Sequence, residues 1–232
     1  MIPKIIHQIW IGDADYTTKY EASWYNSWKQ INPSWELRFW NESDIINFFE
    51  SKYPWFIKRY NEFPHVVQKA DAFRYFALYE YGGLYVDLDF ECFKNVDELI
   101  ELNHGLMLSR EHDHLKNSHS LLYRCVTNSL MFSKPKHKFW EHIFDRIMAE
   151  ENLARCVLET TGPMMLTETL EKCGDIDDLY LMPSHWFYPY TWKHYKNISG
   201  KRKVKRILNE ATKTTKDDWP DSYGVHRWAE VW

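Results

Sequence analysis

The sequence predicts an α/β layered domain, in which buried strands alternate with amphipathic helices. The chain opens with a mostly apolar run from Ile5 to Ile11, which is typical of a buried parallel strand. A helical stripe from Val66 to Tyr81 ends at the pair Gly82-Gly83. A segment of strict apolar and polar alternation, Leu84 to Glu91, follows directly and predicts another strand. This order of elements favours a sheet flanked by helices.

Three further elements are predicted between the first strand and the long helix. They are a helix over 20–31 capped by Thr17 or Thr18, a strand over 35–39, and a helix over 44–50 capped by Ser43. Beyond residue 91, apolar runs predict strands over 105–109 and 122–133, and helical spacing predicts a helix around 139–148. Another helix is expected to start at Gly162-Pro163. Residues 193–218 carry many basic side chains with few apolar neighbours and are expected to form an exposed loop or insertion.

Composition narrows the function classes. The 232 residues include 29 Lys and Arg against 33 Asp and Glu, so a formal charge of −4 gives no reason to expect a nucleic-acid partner. The 12 Trp, 15 Tyr and 13 Phe suit stacking on sugars or bases, but equally suit a core built of large side chains. An anionic ligand would therefore have to be held by a local site.

Cysteine spacing and the amino-terminal residues bear on the cellular setting. The four cysteines lie far apart without zinc-like spacing, so reduced thiols are expected. The opening apolar run is too short for a signal peptide or a membrane span, and no later stretch is longer. We therefore expect a cytoplasmic protein without a transmembrane segment.

Asp87-Leu88-Asp89 is the first motif that could take part in catalysis or metal binding. Asp87 and Asp89 fall on one face of the alternating segment, and paired carboxylates are hard oxygen ligands that suit Mg²⁺ or Mn²⁺. A bare Asp-x-Asp is a weak signal, because a solvated strand end would look the same. The motif alone leaves both readings open.

Asp71 and Arg74 form a second motif on the long helix. Their spacing of three residues places them on one side of the helix, where a surface ion pair is the simplest explanation. Since this helix leads into the strand with the two aspartates, Arg74 could also help to hold a diphosphate that a divalent cation bridges.

Residues 69–91, KADAFRYFALYEYGGLYVDLDFE, resemble the core motif of the DXD-containing glycosyltransferases of family 32. This group includes initiating mannosyltransferases and bacterial and viral sugar transferases, with the large clostridial toxin glucosyltransferases as distant relatives. Further matches in family order are PKIIHQIWIG, the KPKHKFW segment, Thr161-Gly162-Pro163 and the ending HRWAEVW. The resemblance implies a GT-A fold, a Rossmann-like mixed sheet flanked by helices with acceptor-side elements.

The resemblance also implies roles for individual residues. Trp10 matches the position that stacks on the donor base, although core packing would explain it equally well. Asp71 and Arg74 match positions that contact donor sugar hydroxyls and the sugar–phosphate region. Tyr85 would lie beside the nucleotide, and Asn128 near the reactive face of the sugar. Asp71, Arg74 and Asn128 are thus candidate catalytic residues together with the two aspartates of the DXD motif.

The same resemblance implies a metal site and a carboxy-terminal lid over it. Asp87 and Asp89 match the DXD motif, with the second carboxylate on the metal and the first acting through water or on the ribose. His226 is a candidate third ligand, and Trp232 a candidate lid over the diphosphate. Val231 stands where many family members carry serine, which removes a hydroxyl that could touch metal or phosphate, and Glu230 could supply a substitute oxygen.

The whole chain, 1–232, is expected to be one catalytic domain. Residues 1–91 would form the nucleotide-sugar-binding half, and 92–232 the acceptor-side half with a carboxy-terminal lid. The expected enzyme is a metal-dependent, retaining glycosyltransferase that uses Mn²⁺ or Mg²⁺ and moves a hexose from a UDP- or GDP-linked donor to a carbohydrate or glycoconjugate acceptor. The basic stretch 193–206 could contact a membrane surface peripherally.

Two other functions remain alternatives. A glycoside hydrolase would use carboxylates about 5 to 9.5 Å apart on either side of a sugar. A carbohydrate-binding protein would stack sugars on its tryptophans without metal or nucleotide, and would leave the paired aspartates unexplained. A phosphatase of the haloacid dehalogenase type is disfavoured, because it would need Thr or Val where the chain has Glu91.

Overall fold

The computed structural model describes residues 1–12, 22–111, 124–189 and 215–229. The expected caps Thr17 and Thr18, the basic stretch 193–206 and Trp232 lie outside the described residues. Within the described ranges the chain forms eight strands. They are β1 (Ile5–Ile9), β2 (Glu36–Trp40), β3 (Gly83–Val86), β4 (Phe90–Cys92), β5 (Leu106–Ser109), β6 (Leu130–Ser133), β7 (Leu179–Met182) and β8 (Gly224–His226).

Six of these strands form the central sheet, in the order β2-β1-β3-β6-β5-β7. β1 pairs in parallel with both β2 and β3, whereas β6 runs antiparallel to its neighbours β3 and β5. β4 and β8 form a separate antiparallel ribbon, in which Phe90 pairs with His226. The carboxyl ends of β1, β2 and β3 therefore meet at one edge of the sheet, where ligands bind in α/β folds.

Helices cover the sheet in the layered arrangement that the sequence predicts. They are α1 (Ala22–Ile31), α2 (Glu42–Lys52), α3 (Pro54–Glu62), α4 (Val66–Tyr81), α5 (Asp97–Ile100), α6 (Phe139–Met148), α7 (Val157–Thr160) and α8 (Pro163–Cys173). Within the described ranges, no helix combines the length and the apolar character that crossing a membrane would require.

The predicted helices are present, with corrections at their ends. α4 has the predicted bounds, and α8 begins directly after Gly162. α2 is capped by Asn41 rather than Ser43: the Asn41 side chain accepts from the backbone N–H of Asp44 at 3.0 Å, and the Asp44 carboxylate accepts from the Asn41 N–H in return. Both residues are good caps, and this reciprocal pairing decides between them.

The strand predicted over Leu84 to Glu91 is wrong in its continuity. β3 ends at Val86, and a turn over Asp87-Leu88-Asp89 precedes β4, which belongs to the other sheet. The Phe90 N–H donates to the Asp87 carbonyl at 3.2 Å and closes this turn. Leu88 is nevertheless buried against Trp10 and Trp24, so the apolar alternation continues although the strand does not. Hydropathy alone could not reveal the break.

Gly82 and Gly83 make the connection from α4 to β3 possible. Both have positive φ, +65° and +98°, a region that favours glycine. A Cβ on Gly83 would lie 2.4 Å from the carbonyl oxygen of Ile5 on the neighbouring strand. The pair therefore lets β3 start directly beside β1, and it sets the distance between the helix and the DXD turn.

Most of the described aromatic side chains lie in the core. Trp28, Trp35 and Trp140 are fully buried, and Phe76 of α4 stacks on Phe144 of α6 with ring centroids 3.9 Å apart. Burial of this much apolar area is a large stabilising term. Half of the tryptophans that the structure describes are thus core residues, which weakens the support for a simple carbohydrate-binding protein.

His7 connects β1 to two neighbouring elements through a neutral imidazole. Its Nε2 lies 2.9 Å from the carbonyl oxygen of Gly82, and its Nδ1 accepts from the indole N–H of Trp40 at 3.1 Å. Nε2 therefore carries the proton and donates to Gly82. Burial lowers the pKa of His7 to about 4, because the charged form would lose its hydration.

We expect this histidine to make the protein less stable in acid. The unfolded chain binds a proton near pH 6.5 and the folded chain only near pH 4, so stability falls as the pH drops through this window. The maximum loss is about 3 kcal/mol, since each pKa unit corresponds to about 1.4 kcal/mol. Urea unfolding at pH 7.5, 5.5 and 4.5 measures this slope.

His7→Gln should flatten the pH dependence of unfolding, because its amide does not titrate. His142→Gln is the matched control, since His142 is exposed on α6, and a change in slope that both variants share would not be specific to the buried histidine. Equal slopes for wild type and His7→Gln would show that His7 does not control acid stability.

Candidate active site

A cluster of charged side chains lies where β3, β4 and β8 meet. Asp87 directly follows β3, and Asp89 directly precedes β4. The pairing of Phe90 with His226 brings His226 beside the DXD turn, although the two lie far apart in sequence. The candidate site is therefore assembled at the carboxyl edge of the central sheet.

Asp89 and His226 form a buried pair within this cluster. His226 Nε2 lies 3.1 Å from Asp89 Oδ1, and the backbone N–H of Ala229 donates to Asp89 Oδ2 at 3.0 Å. Burial tends to raise the pKa of Asp89, but His226 and the Ala229 N–H outweigh it and hold the pKa below its ordinary value. Burial tends to lower the pKa of His226, but Asp89 outweighs it and raises that pKa.

Asp87 is held from the other side of the turn. The hydroxyl of Tyr85 donates to Asp87 Oδ1, and Arg74 Nη1 lies 3.2 Å from the same oxygen. Burial raises the pKa of Asp87 to about 6, because the opposing effect of Arg74 is not sufficient and the charge of Asp89 adds to the rise. The site therefore holds two carboxylates, Asp87 and Asp89, close enough for their charges to repel each other.

These three residues fit a divalent cation. Asp87, Asp89 and His226 each offer one ligand atom, and these atoms lie within 4.8 Å of one another. The Nδ1 atom of His226 is buried and has no hydrogen-bond partner among the described residues. Two carboxylates and one imidazole suit a hard or borderline divalent ion.

Arg74 connects this cluster to α4. Its Nη2 lies 3.0 Å from Asp71 Oδ1, and its Nη1 donates to the carbonyl oxygen of Asn128 at 2.8 Å. The guanidinium also lies over the ring of Tyr85, 4.5 Å from its centroid. Asp71 and Arg74 are each only 3% exposed, so the explanation as a surface ion pair is wrong.

Asp71 is fully engaged within the protein. Its Oδ1 accepts from Asn128 Nδ2 at 2.9 Å, and its Oδ2 accepts from Thr161 Oγ1 at 3.0 Å. Burial raises the pKa of Asp71 against the opposing effects of Arg74, Thr161 and Asn128. The structure therefore brings Asp71, Arg74 and Asn128 together with the DXD turn in one continuous network.

The remaining expected site residues have different positions. Trp10 is buried at the end of β1 in a cluster with Trp24 and Leu88, beside Ala229. Tyr85 is almost fully buried beneath Arg74, so its described contacts are with the network. The suggested lid residue Trp232, with Glu230 and Val231, lies outside the described residues and stays a prediction.

Sequence reasoning missed the polar residues that support the network. Tyr75 donates to the Thr161 carbonyl at 2.8 Å and accepts from Asn128 Nδ2 at 3.0 Å. The ring of Tyr188 packs against His226, and no sequence pattern identified this tyrosine. Tyr75 lies on the helix between Arg74 and the glycine pair. It is part of residues 69–91, the segment that resembles the family motif, and this position is the signal that could have identified it as a site residue.

Known proteins support the same picture. A family model described as a glycosyltransferase sugar-binding region containing the DXD motif matches residues 18–105. The chain is 28% identical to the uncharacterized glycosyltransferase L373 of Acanthamoeba polyphaga mimivirus, over 85% of this chain and 77% of that protein. It is 32% identical to inositol phosphoceramide mannosyltransferase 2 of Schizosaccharomyces pombe, over 74% of this chain and 47% of the relative.

Solved structures agree on the fold. The PaToxG glycosyltransferase superposes with a TM-score of 0.55 at 17% identity, over 74% of this chain and 69% of that one. The glycosyltransferase GlyE of Streptococcus pneumoniae gives 0.53 at 13% identity, over 99% of this chain and 55% of that one. These likenesses define the GT-A fold.

The family model and the named relatives support the class of enzyme, a glycosyltransferase. Over residues 18–105 the chain matches the family model of DXD-containing glycosyltransferases, as the resemblance of residues 69–91 implied. It spans about half the length of the S. pombe relative that it matches.

Removal of Arg74 should destabilise the protein strongly. Arg74→Met leaves Asp71 and Asp87 buried without their cation, and breaking such a network costs about 3–5 kcal/mol. Replacing Asp71 by Asn in the same chain should recover part of the loss. Urea unfolding of the single and double variants at pH 7.5 measures both effects.

Arg155→Met is the matched control for this prediction. Arg155 is exposed and pairs with Glu159 at 2.6 Å and with Glu150 at 3.6 Å. Because Arg146 also pairs with Glu150, removal of Arg155 should change stability little. If Arg74→Met were as mild as Arg155→Met, Arg74 would not be the cation that stabilises the buried carboxylates.

Proposed function

We propose that the protein transfers a hexose from a UDP- or GDP-linked donor to a carbohydrate or glycoconjugate acceptor, with Mn²⁺ or Mg²⁺ as its cofactor. The observation that carries this proposal is the convergence of Asp87, Asp89 and His226 at the sheet edge, linked through Arg74 to Asp71. Mannose is the sugar that the name of the S. pombe relative favours.

The metal ligands in this proposal are Asp89, His226 and Asp87, directly or through water. A bound divalent cation would neutralise charge on the diphosphate as the bond to the sugar breaks. The protein itself contributes a fixed, largely dry set of charges, which acts more strongly than the same charges would in water. Arg74 acts in this scheme by holding Asp71 and Asp87 in place, because its own N–H groups point into the network.

Front-face transfer is the mechanism that these residues favour. The bond from the anomeric carbon to the phosphate oxygen breaks, the bond to the acceptor oxygen forms on the same face, and the acceptor proton goes to the leaving phosphate. A covalent alternative would need a nucleophile near the sugar. Asn128 is a poor nucleophile, and Asp71 is buried and satisfied by three partners, so neither is poised to attack.

The alternative of a glycoside hydrolase gains no support. Asp87 and Asp89 lie on one tight turn and converge on His226, whereas a hydrolase places its carboxylates on either side of a sugar ring. Peripheral membrane contact through 193–206, a cytoplasmic location and the division of the chain at residue 91 stay predictions.

Nucleotide and metal should stabilise the folded protein together. A ligand at 100 times its Kd raises the free energy of unfolding by about 2.7 kcal/mol. We expect UDP or GDP with Mn²⁺ to raise the Tm in thermal-shift assays, and chelator to remove most of the effect. Asp89→Asn should remain folded but lose the Mn²⁺-dependent shift and the transfer activity.

Asp145→Asn is a matched control, because Asp145 is an exposed residue of α6 that is not part of the site. It should retain both the shift and the activity. A panel of UDP, GDP and their sugars that leaves the wild-type Tm unchanged with and without Mn²⁺ would contradict the proposed function.

Retention of configuration is a separate expectation. With an α-linked donor, the new glycosidic bond should also be α, because attack and departure occur on the same face. NMR of the isolated product checks this through the one-bond coupling between C1 and H1, which distinguishes α from β linkages for mannose as well as for other hexoses. A β-linked product would exclude front-face transfer while leaving the metal-dependent reaction intact.

A further inference from the structure

Tyr188 joins two parts of the candidate site that are distant in sequence. It follows the short 3₁₀ turn Ser184–Trp186 and is only 2% exposed. Its hydroxyl oxygen lies 2.5 Å from Thr127 Oγ1 and 2.8 Å from Ser129 Oγ. Tyr188 therefore bridges the two residues that flank Asn128.

The direction of these hydrogen bonds follows from counting protons. Each hydroxyl has one proton, and Thr127 Oγ1 donates its own to the Ser109 carbonyl at 3.4 Å. Tyr188 must then donate to Thr127, and Ser129 must donate to Tyr188. The result is a chain of hydroxyls that ends on β5, and burial raises the pKa of Tyr188 so that it keeps its proton. Members of such chains polarise and strengthen one another.

The segment that this chain holds supports the charged network. The Ser129 carbonyl accepts the Asp87 N–H at 2.9 Å, and the Asn128 carbonyl accepts from Arg74 at 2.8 Å. A shift of residues 127–129 would therefore move Arg74, Asn128 and the start of the DXD turn together. The hydroxyl of Tyr188 acts on the side of the site that holds the donor sugar in the proposed function.

The ring of the same tyrosine packs against the metal-site histidine. Its centroid lies 6.1 Å from that of His226 with the two planes at 90°, and 5.6 Å from that of Phe90. Phe90 stacks on His226 at 4.6 Å, and Trp228 lies 4.0 Å from it. The imidazole is thus enclosed by three aromatic rings, of which Tyr188 is the one connected to residues 127–129.

We propose that Tyr188 is a positioning residue for glycosyl transfer, whose hydroxyl fixes the Thr127–Ser129 segment and whose ring fixes His226. This inference rests on the proposed function and adds to it a residue with two separable tasks. The hydroxyl governs the alignment of the reacting sugar, and the ring governs the metal ligand.

The two tasks predict different kinetic effects for two variants. Tyr188→Phe keeps the ring and removes the hydroxyl, so kcat should fall about tenfold or more, as expected for a small misalignment at a reacting centre. The donor KM and the Mn²⁺ affinity should stay within about twofold of wild type, because the ring still encloses His226. Tyr188→Leu should lower kcat similarly and also weaken Mn²⁺ binding about tenfold, as loss of support around a metal ligand does.

The measurements are steady-state transfer kinetics with the donor found in the thermal-shift panel and calorimetric titration with Mn²⁺, after circular dichroism has shown that each variant is folded. Tyr60→Phe is the matched control. Tyr60 is also a fully buried tyrosine, but its hydroxyl has no hydrogen-bond partner among the described residues. Its removal should leave kcat and Mn²⁺ affinity unchanged.

A Tyr188→Phe enzyme with wild-type kcat would overturn the assignment of the hydroxyl. Equal Mn²⁺ affinities for Tyr188→Leu and wild type would overturn the assignment of the ring as the group that fixes His226. A parallel loss of kcat in Tyr188→Phe and Tyr60→Phe would show a general effect of altering a buried tyrosine. If wild type binds neither nucleotide nor Mn²⁺, the proposed function itself fails, which is a different result from an active wild type with unimpaired Tyr188 variants.

Discussion

The buried guanidinium of Arg74 is the interaction on which the arrangement of this site depends. It lies between Asp71 on the same helix and Asp87 after β3, and it is also bonded to the Asn128 carbonyl. Taking an ion out of water costs several kcal/mol, which only good geometry with all partners can offset. α4, β3 and the segment before β6 must therefore pack together where Arg74 lies. This contact fixes the position of the DXD turn relative to the central sheet.

Two glycines make this contact possible. Gly82 ends α4 and Gly83 begins β3 against the backbone of Ile5, so helix and strand are joined without a loop. A side chain at Gly83 would push β3 away from β1 and carry Asp87 away from Arg74. The buried charge network and the glycine pair therefore depend on each other. The network fixes the site electrostatically, and the glycine pair allows the close connection between helix and strand sterically.

The sequence predicts the features that depend on local interactions and misses those that depend on contacts between distant parts of the chain. α4 is predicted to its ends because helical spacing and the glycine pair are both local signals. The pairing of β4 with β8 has no local signal, and the position of His226 came from the family resemblance instead. The turn at Asp87-Leu88-Asp89 was hidden because Leu88 is buried although the strand has ended. Burial of Asp71 and Arg74 was missed because spacing defines a helix face but not what covers it.

The charge balance of the site explains why it suits a cation that the protein does not itself supply. Three carboxylates, Asp71, Asp87 and Asp89, face one guanidinium and one imidazole, while Arg227 is engaged by Glu91. Asp89 is stabilised by His226 and a backbone N–H, whereas burial, together with the charge of Asp89, raises the pKa of Asp87 to about 6. A buried carboxylate with a shifted pKa is a common feature of a binding site. Because one carboxylate oxygen of Asp87 lies within 4.8 Å of ligand atoms of Asp89 and His226, a divalent ion bound there would stabilise the ionised form of Asp87.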